Sequence, residues 1–265
     1  MLRVNERQRK YYEHTGGTNR TPRNSIATNL WRSARRRIYS VRPDITSLHR
    51  DWMGDVSGCD VLDLGVGEGN TLSAHLARNA QRYVAIDLSQ SRLAAFRKKL
   101  EGQGIAGARL HAVDFLSDDF TETGFDLIYA KAVMHHFRHL PTFLDALDSK
   151  LVRGGRAVTH DPLETWLPAK LVRRAYRRWQ TDAEWEHPLS STGLATIQDQ
   201  FTLERVQGIY GKSKWAIPLS IISPDLAARK SAAWHRDDAL RCTDLGGVGA
   251  CLQISMMFRT TSASR

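Results

Sequence analysis

Three acidic residues and one glycine-rich turn are the groups in this sequence most suited to chemistry. Val61-Leu62-Asp63-Leu64 is an apolar run that leads into Gly65-Val66-Gly67-Glu68-Gly69-Asn70. Glycines at this spacing let the backbone adopt angles closed to other residues, so a ligand can approach the main chain. A helix that follows such a turn points its N-terminus at the ligand. The stretch therefore reads as a nucleotide-binding turn. In a dinucleotide site a pyrophosphate rests at that helix end, but here Glu68 lies inside the turn and would repel it.

A ligand with a sulfonium and an ammonium group tolerates nearby acids, and Asp63 is placed to help bind one. The turn thus points to S-adenosylmethionine (SAM) rather than to a nicotinamide. Asp87 closes a second apolar run, where a carboxylate can accept hydrogen bonds from both ribose hydroxyls, and Leu88 follows as a packing surface for adenine. Asp114 closes a third, where it can accept from the adenine amino group, with Phe115 as a stacking or packing neighbour. The expected cofactor-binding set is Asp63, Gly65, Gly67, Asp87, Leu88, Asp114 and Phe115.

These residues need strand ends to hold them. The periodicity predicts strands over 60–64, 83–86, 109–113, 125–129 and 156–159, and helices over 70–80 and 89–100. A further helix, marked by Phe143, Leu144, Leu147 and Leu151, is expected to stop at Gly154-Gly155. Strand and helix alternate with short connections, which implies an α/β fold: a Rossmann-like, doubly wound, mostly parallel sheet. After Asp161 the pattern loosens. Residues 201–210 read as a strand, 225–240 as a helix, and 251–258 as a last strand suited to antiparallel pairing. A basic amphipathic helix is expected across Ile26, Leu30, Ala34 and Ile38, and a short one over 44–54 that buries Ile45, Leu48 and Trp52. Residues 1–54 then form an N-terminal helical cap segment and 55–265 the cofactor-binding domain. Insertions near 162–195 and 211–245 complete a partly helical cap.

At this level the chain resembles the class I SAM-dependent methyltransferases, in particular the small-molecule group of the ubiquinone-biosynthesis type. Five landmarks match in order over roughly 55–162: the Asp63/Gly65/Gly67/Gly69 turn, Asp87, Asp114-Phe115, the segment Phe125–Tyr129 leading to Met134-His135-His136-Phe137, and Leu151–Arg156. The resemblance implies methyl transfer to a small or medium metabolite, most readily at a hydroxyl of a sugar, lipid-linked or secondary-metabolite scaffold. Such a displacement depends on positioning, and an alcohol acceptor gains from a base. His135 and His136 are the candidates, since imidazole titrates near neutral pH; a loop-fixing role for at least one of them competes. His160 and Asp161 end the fifth strand at the same face, with Asp161 expected to cap the next helix. Glu164 and His187 are weaker candidates. No metal is expected, because the fourth and fifth strand ends lack a carboxylate set and no Cys/His cluster is apparent.

Composition bounds the partners. The chain has 265 residues, a formal net charge of +10 and three cysteines without a CxxC spacing. It reads as reduced, intracellular and cytoplasmic, with no secretory leader and no membrane span. The basic balance favours an anionic partner. Arginine-rich helical segments at 32–37 and 170–178 suit three roles: a solvated outer face with the apolar side buried, contact with an anionic acceptor or lipid surface aided by Trp166, Trp179 and Trp185, or nucleic-acid binding, ranked last. RNA methylation and a non-catalytic SAM-binding subunit remain the competing functions.

Overall fold

The computed structural model describes residues 10, 13, 43–177 and 183–261. The helix expected over 26–38 lies outside them, as do Arg178 and Trp179. Seven strands form one sheet: β1 (Asp60–Leu64), β2 (Arg82–Asp87), β3 (Arg109–Ala112), β4 (Phe125–Lys131), β5 (Leu151–Pro162), β6 (Phe201–Ile209) and β7 (Gln253–Thr260). Their order is β3-β2-β1-β4-β5-β7-β6. β1 to β5 are mutually parallel, and β7 lies antiparallel between β5 and β6. The α/β, mostly parallel architecture is the expected one.

Eight helices are present among the described residues: α1 (Ile45–Met53), α2 (Thr71–Asn79), α3 (Gln90–Glu101), α4 (Leu140–Lys150), α5 (Leu167–Tyr176), α6 (Ser191–Gln200), α7 (Ala216–Ile222) and α8 (Pro224–Arg241). Local sequence sets several starts. Asp44, Asn70, Ser89, Ser190 and Ser223 each accept a backbone N–H of the following first turn through a side-chain oxygen. Period-two alternation sorts side chains onto the two sheet faces. Leu62 and Ile128 join Phe143, Ile197 and Phe258 in one core, while Val61, Leu127 and Tyr129 join Leu76 and Phe96 in the other.

Four expectations fail for physical reasons. α4 ends at Lys150, and Leu151 already belongs to β5. The Gly154-Gly155 pair is no helix stop. Phe125 pairs with Leu151 but Leu127 with Arg156, so the glycines sit in a bulge of β5. Gly154 has φ +73°, and a Cβ on Gly155 would stand 3.0 Å from Phe125 O. α6 was not expected at all, because only Leu194 and Ile197 of it are buried. The helix of 44–54 does form, but it buries Ile45, His49 and Met53, with Leu48 and Trp52 only partly covered. The apolar side of α5 is not buried either: Leu167, Leu171 and Val172 are 64%, 58% and 64% exposed. No helix among the described residues is long and apolar enough to cross a membrane.

Candidate active site

Strand order reverses between β1 and β4, so loops leaving their C-terminal ends diverge and open a crevice there. The glycine turn spans it. Gly65 and Val66 donate their N–H groups to Ile86 O at 2.8 and 3.2 Å, which ties the turn to β2. Gly65 has φ +67°, and a Cβ there would lie 2.5 Å from Val133 Cγ2. The turn is therefore glycine-dependent for two independent reasons, backbone angle and space.

A cavity at this edge is lined by Leu64, Gly65, Ile86, Asp87, Leu88, Val113, Asp114, Phe115, Val133, His136 and Phe137, among others. Of the expected cofactor residues it gathers Gly65, Asp87, Leu88, Asp114 and Phe115. Asp87 is oriented by the backbone: Gly67 N–H donates to Oδ2 at 2.8 Å and Ser89 N–H to Oδ1 at 2.9 Å. Asp114 Oδ1 accepts from Leu116 N–H at 3.0 Å. Gly67 is buried behind this wall, with φ +56°.

Asp63 lies beneath the turn rather than on the cavity wall. It is 2% exposed, and its Oδ2 accepts the Tyr83 hydroxyl at 2.8 Å. Burial pushes its carboxyl up to about 7, with hydrogen bonding pulling partly back and the Asp87 charge adding to the rise. A raised folded pKa means the folded chain keeps a proton that the unfolded chain has lost. That contribution to stability is complete below the ordinary carboxylate range and is lost as pH rises through about 7. The melting temperature is therefore expected to fall from about pH 5 to about pH 8, and Asp63→Asn is expected to flatten that slope. Parallel curves for the two proteins would remove Asp63 as the cause.

His135 and His136 sit in a short 3-10 turn, Met134–His136, after β4. The turn is held from two sides. Asp161 Oδ1 lies 2.7 Å from His135 Nδ1 and also accepts the His135 N–H at 3.1 Å. Asp161 therefore fastens this turn and is not the cap of α5, a position taken by Trp166. On the other side His135 Nε2 stands 3.5 Å from Glu186 Oε1. Burial alone would lower the His135 pKa, but hydrogen bonds to Asp161 and Glu186 reverse this and bring it to about 9. His136 reaches the cavity wall, and its Nδ1 is 3.0 Å from Trp185 O. Burial, helped by the His135 charge, depresses its pKa to about 4. The two neighbours thus differ in charge at neutral pH, because two protonated rings 4.1 Å apart would repel each other.

Other candidates lie elsewhere. His160 is buried against Ser255 and Gln253, at 2.9 and 3.2 Å, within the sheet. His187 and Glu164 are partly buried, and neither is among the residues that line the cavity. Glu186 is the residue sequence reasoning missed. It belongs to no regular element, and its only signal was an acid inside the expected cap insertion.

Residues 61–155 match a family model described as a methyltransferase domain. A Haemophilus influenzae protein described as uncharacterized is 28% identical over 120 residues, 44% of this chain and 46% of that one. The chain thus spans about half the length of the curated relative it matches. Among solved structures, the magnesium protoporphyrin IX methyltransferase of Synechocystis PCC 6803, with SAH bound, is similar at a TM-score of 0.58 and 13% identity, covering 97% of this chain and 99% of that one. The N-methyltransferase NodS of Bradyrhizobium japonicum WM9, also with SAH, reaches 0.51 at 14% identity over 88% and 100%. Strand order, glycine turn and strand-end acids agree with both kinds of match: residues 61–155 match a methyltransferase domain, and the chain around them has the class I SAM-dependent methyltransferase fold.

Proposed function

We propose that this chain transfers the methyl group of SAM to a hydroxyl of a small or medium-sized metabolite. The observation that supports it most is the meeting of Asp87 and Asp114 on the wall of one cavity, beside Gly65. Each carboxylate oxygen of Asp87 accepts one backbone N–H, which leaves lone pairs for two ribose hydroxyls. Asp114 accepts from the adenine amino group, and Leu88 and Phe115 flank the purine. Asp63, under the turn, offsets the ammonium charge once it gives up the proton that burial favours. SAM supplies an electrophilic methyl carbon when bound.

On the acceptor side, His136 is the residue we assign as base. It lines the cavity, and donation from Nδ1 to Trp185 O leaves its lone pair on Nε2. His135, clamped between Asp161 and Glu186, positions the turn. Because Trp185 and Glu186 hold the histidines, we assign the 162–195 segment to the cap over the acceptor. The 211–245 segment joins it where Lys214 Nζ lies 4.0 Å over the Trp166 ring.

The fold leaves the acceptor open, since a porphyrin methyltransferase and an N-methyltransferase share it. Exposed Leu167, Leu171 and Val172 on α5, Trp215, and Ile221 and Ile222 on α7 favour a lipid-linked acceptor met at a membrane surface. Lys170, Arg173 and Arg174 on α5, with Arg177 at its C-terminal cap, would complement anionic headgroups. Three free thiols fit a reducing, cytoplasmic setting.

The test is methyl transfer from labelled SAM to a panel of hydroxylated sugars, phenols and prenyl-linked phenols. His136→Ala is expected to lower turnover about 10²–10⁴-fold while SAH affinity by calorimetry stays within about threefold. Unchanged turnover would remove His136 from the mechanism, and absence of any SAM or SAH heat would end the methyltransferase reading.

A further inference from the structure

We propose that His135, His136 and Glu186 form a binding site for one divalent transition-metal ion of the zinc class, at the acceptor side of the cavity. One donor atom from each residue lies within 4.8 Å of the others. His135 Nε2 and Glu186 Oε1 are 3.5 Å apart, close to the roughly 3.3 Å that separates two ligands bonded at about 2.0–2.1 Å to a tetrahedral ion. The sequence offered no such site, because its third donor comes from a loop fifty positions after the histidines.

The outer nitrogens supply an independent argument. A ligating imidazole commonly donates its second N–H to a carboxylate or a carbonyl, which fixes the ring and the tautomer. His135 does so to Asp161 Oδ1 at 2.7 Å, and His136 to Trp185 O at 3.0 Å. In the neutral rings both bonds put the lone pair on Nε2; at His135 the ion takes the place of a proton, so its binding strengthens as pH rises. The rings lie 4.1 Å apart with a 41° tilt, near enough for one ion to bridge them. Asp161 is fully buried, and its Oδ2 has no hydrogen-bond partner among the described residues. The positive charge beside this carboxylate is the His135 ring's in the metal-free protein and would be the ion's in the loaded one.

Two imidazoles and a carboxylate suit zinc, cobalt or iron(II) better than magnesium or calcium, which favour all-oxygen sets. Three protein ligands leave a further position open, and His136 places that position toward the cavity. Binding of the ion stands independently of methyl transfer. Its use in the reaction rests on that reading: an acceptor hydroxyl on the open position would be acidified by the ion, would release its proton to solvent water, and would attack the methyl carbon as the carbon–sulfur bond breaks, so that His136 serves as ligand and not as base in the loaded protein.

The experiment uses the full chain, stripped with chelator and free of SAM, titrated with Co²⁺ and followed by its visible ligand-field absorption. One equivalent per chain, displaced by Zn²⁺, is expected. Glu186→Gln and His136→Ala are each expected to weaken binding by about tenfold or more. Glu186→Gln is nearly isosteric and carries the test if His136→Ala fails to fold. No one-to-one binding, or binding equal in the variants, overturns the site. Calorimetry with SAH on the same metal-free protein separates the two claims. Cofactor heat without a cobalt signal sinks only the metal site, and a cobalt signal without cofactor heat sinks only the methyltransferase reading.

Discussion

Asp87→Ala is expected to lower SAH affinity by about two orders of magnitude. A hydrogen bond to a charged group contributes about 1.5–3 kcal/mol net, and two ribose contacts at the low end sum to about 3 kcal/mol, or roughly 100-fold. The loss acts at a second level too. Asp87 also accepts from Gly67 and Ser89, so its removal unties the glycine turn from the start of α3. Asp87→Asn keeps one acceptor oxygen and is expected to lose only about tenfold. Calorimetry decides it: an alanine variant that binds SAH within about threefold of the parent would mean that Asp87 meets no ribose.

Gly69→Ala is expected to be the most destabilising single change in the turn. A Cβ at Gly69 would lie 2.1 Å from two atoms of the Phe96 ring, and Phe96, on α3, is wholly buried in the core. Overpacking of this kind and a strained φ of +67° together cost about 3–5 kcal/mol, a fall of about 6–20 °C in melting temperature. Gly104→Ala is the control. Its φ is +66°, but nothing lies within 4 Å of the added carbon, so only about 1 kcal/mol of backbone strain is expected. Thermal melts of the two variants that coincide would show that Phe96 moves aside and the contact carries no weight.

The parts of this molecule that could be read from sequence are those in which one short segment does one job. β3 is largely exposed and was placed by its position in the alternation of strands and helices. The apolar runs that carry Asp63 and Asp87 became β1 and β2, because a strand buried on both faces must be almost continuously apolar. The antiparallel β7 was legible for the same reason. What escaped depends on distant partners. Gly154-Gly155 has the composition of a helix stop, yet pairing with β4 makes it a bulge. Asp161 has the composition of a cap, yet its partner is His135, 26 positions earlier. Glu186 has no local pattern at all and matters only because the fold carries it to the histidines. The opposite pKa shifts of His135 and His136 are likewise a product of surroundings, since the two residues are adjacent and chemically identical.

The placement of β7 has a consequence for biogenesis. β5 and β6 never touch as neighbours; the strand between them is the last of the seven to be synthesised. A nascent chain can assemble its first five strands and their nucleotide pocket while the far side of the sheet stays open. It must then thread residues 253–260 into a gap with hydrogen-bonding groups waiting on both flanks. Until that happens, His160 and His49 lack the Ser255 hydroxyl that joins them, and two raw sheet edges are offered to any passing strand. Such long-range closure is slow, so this side of the molecule is where chaperone capture or misassembly would begin.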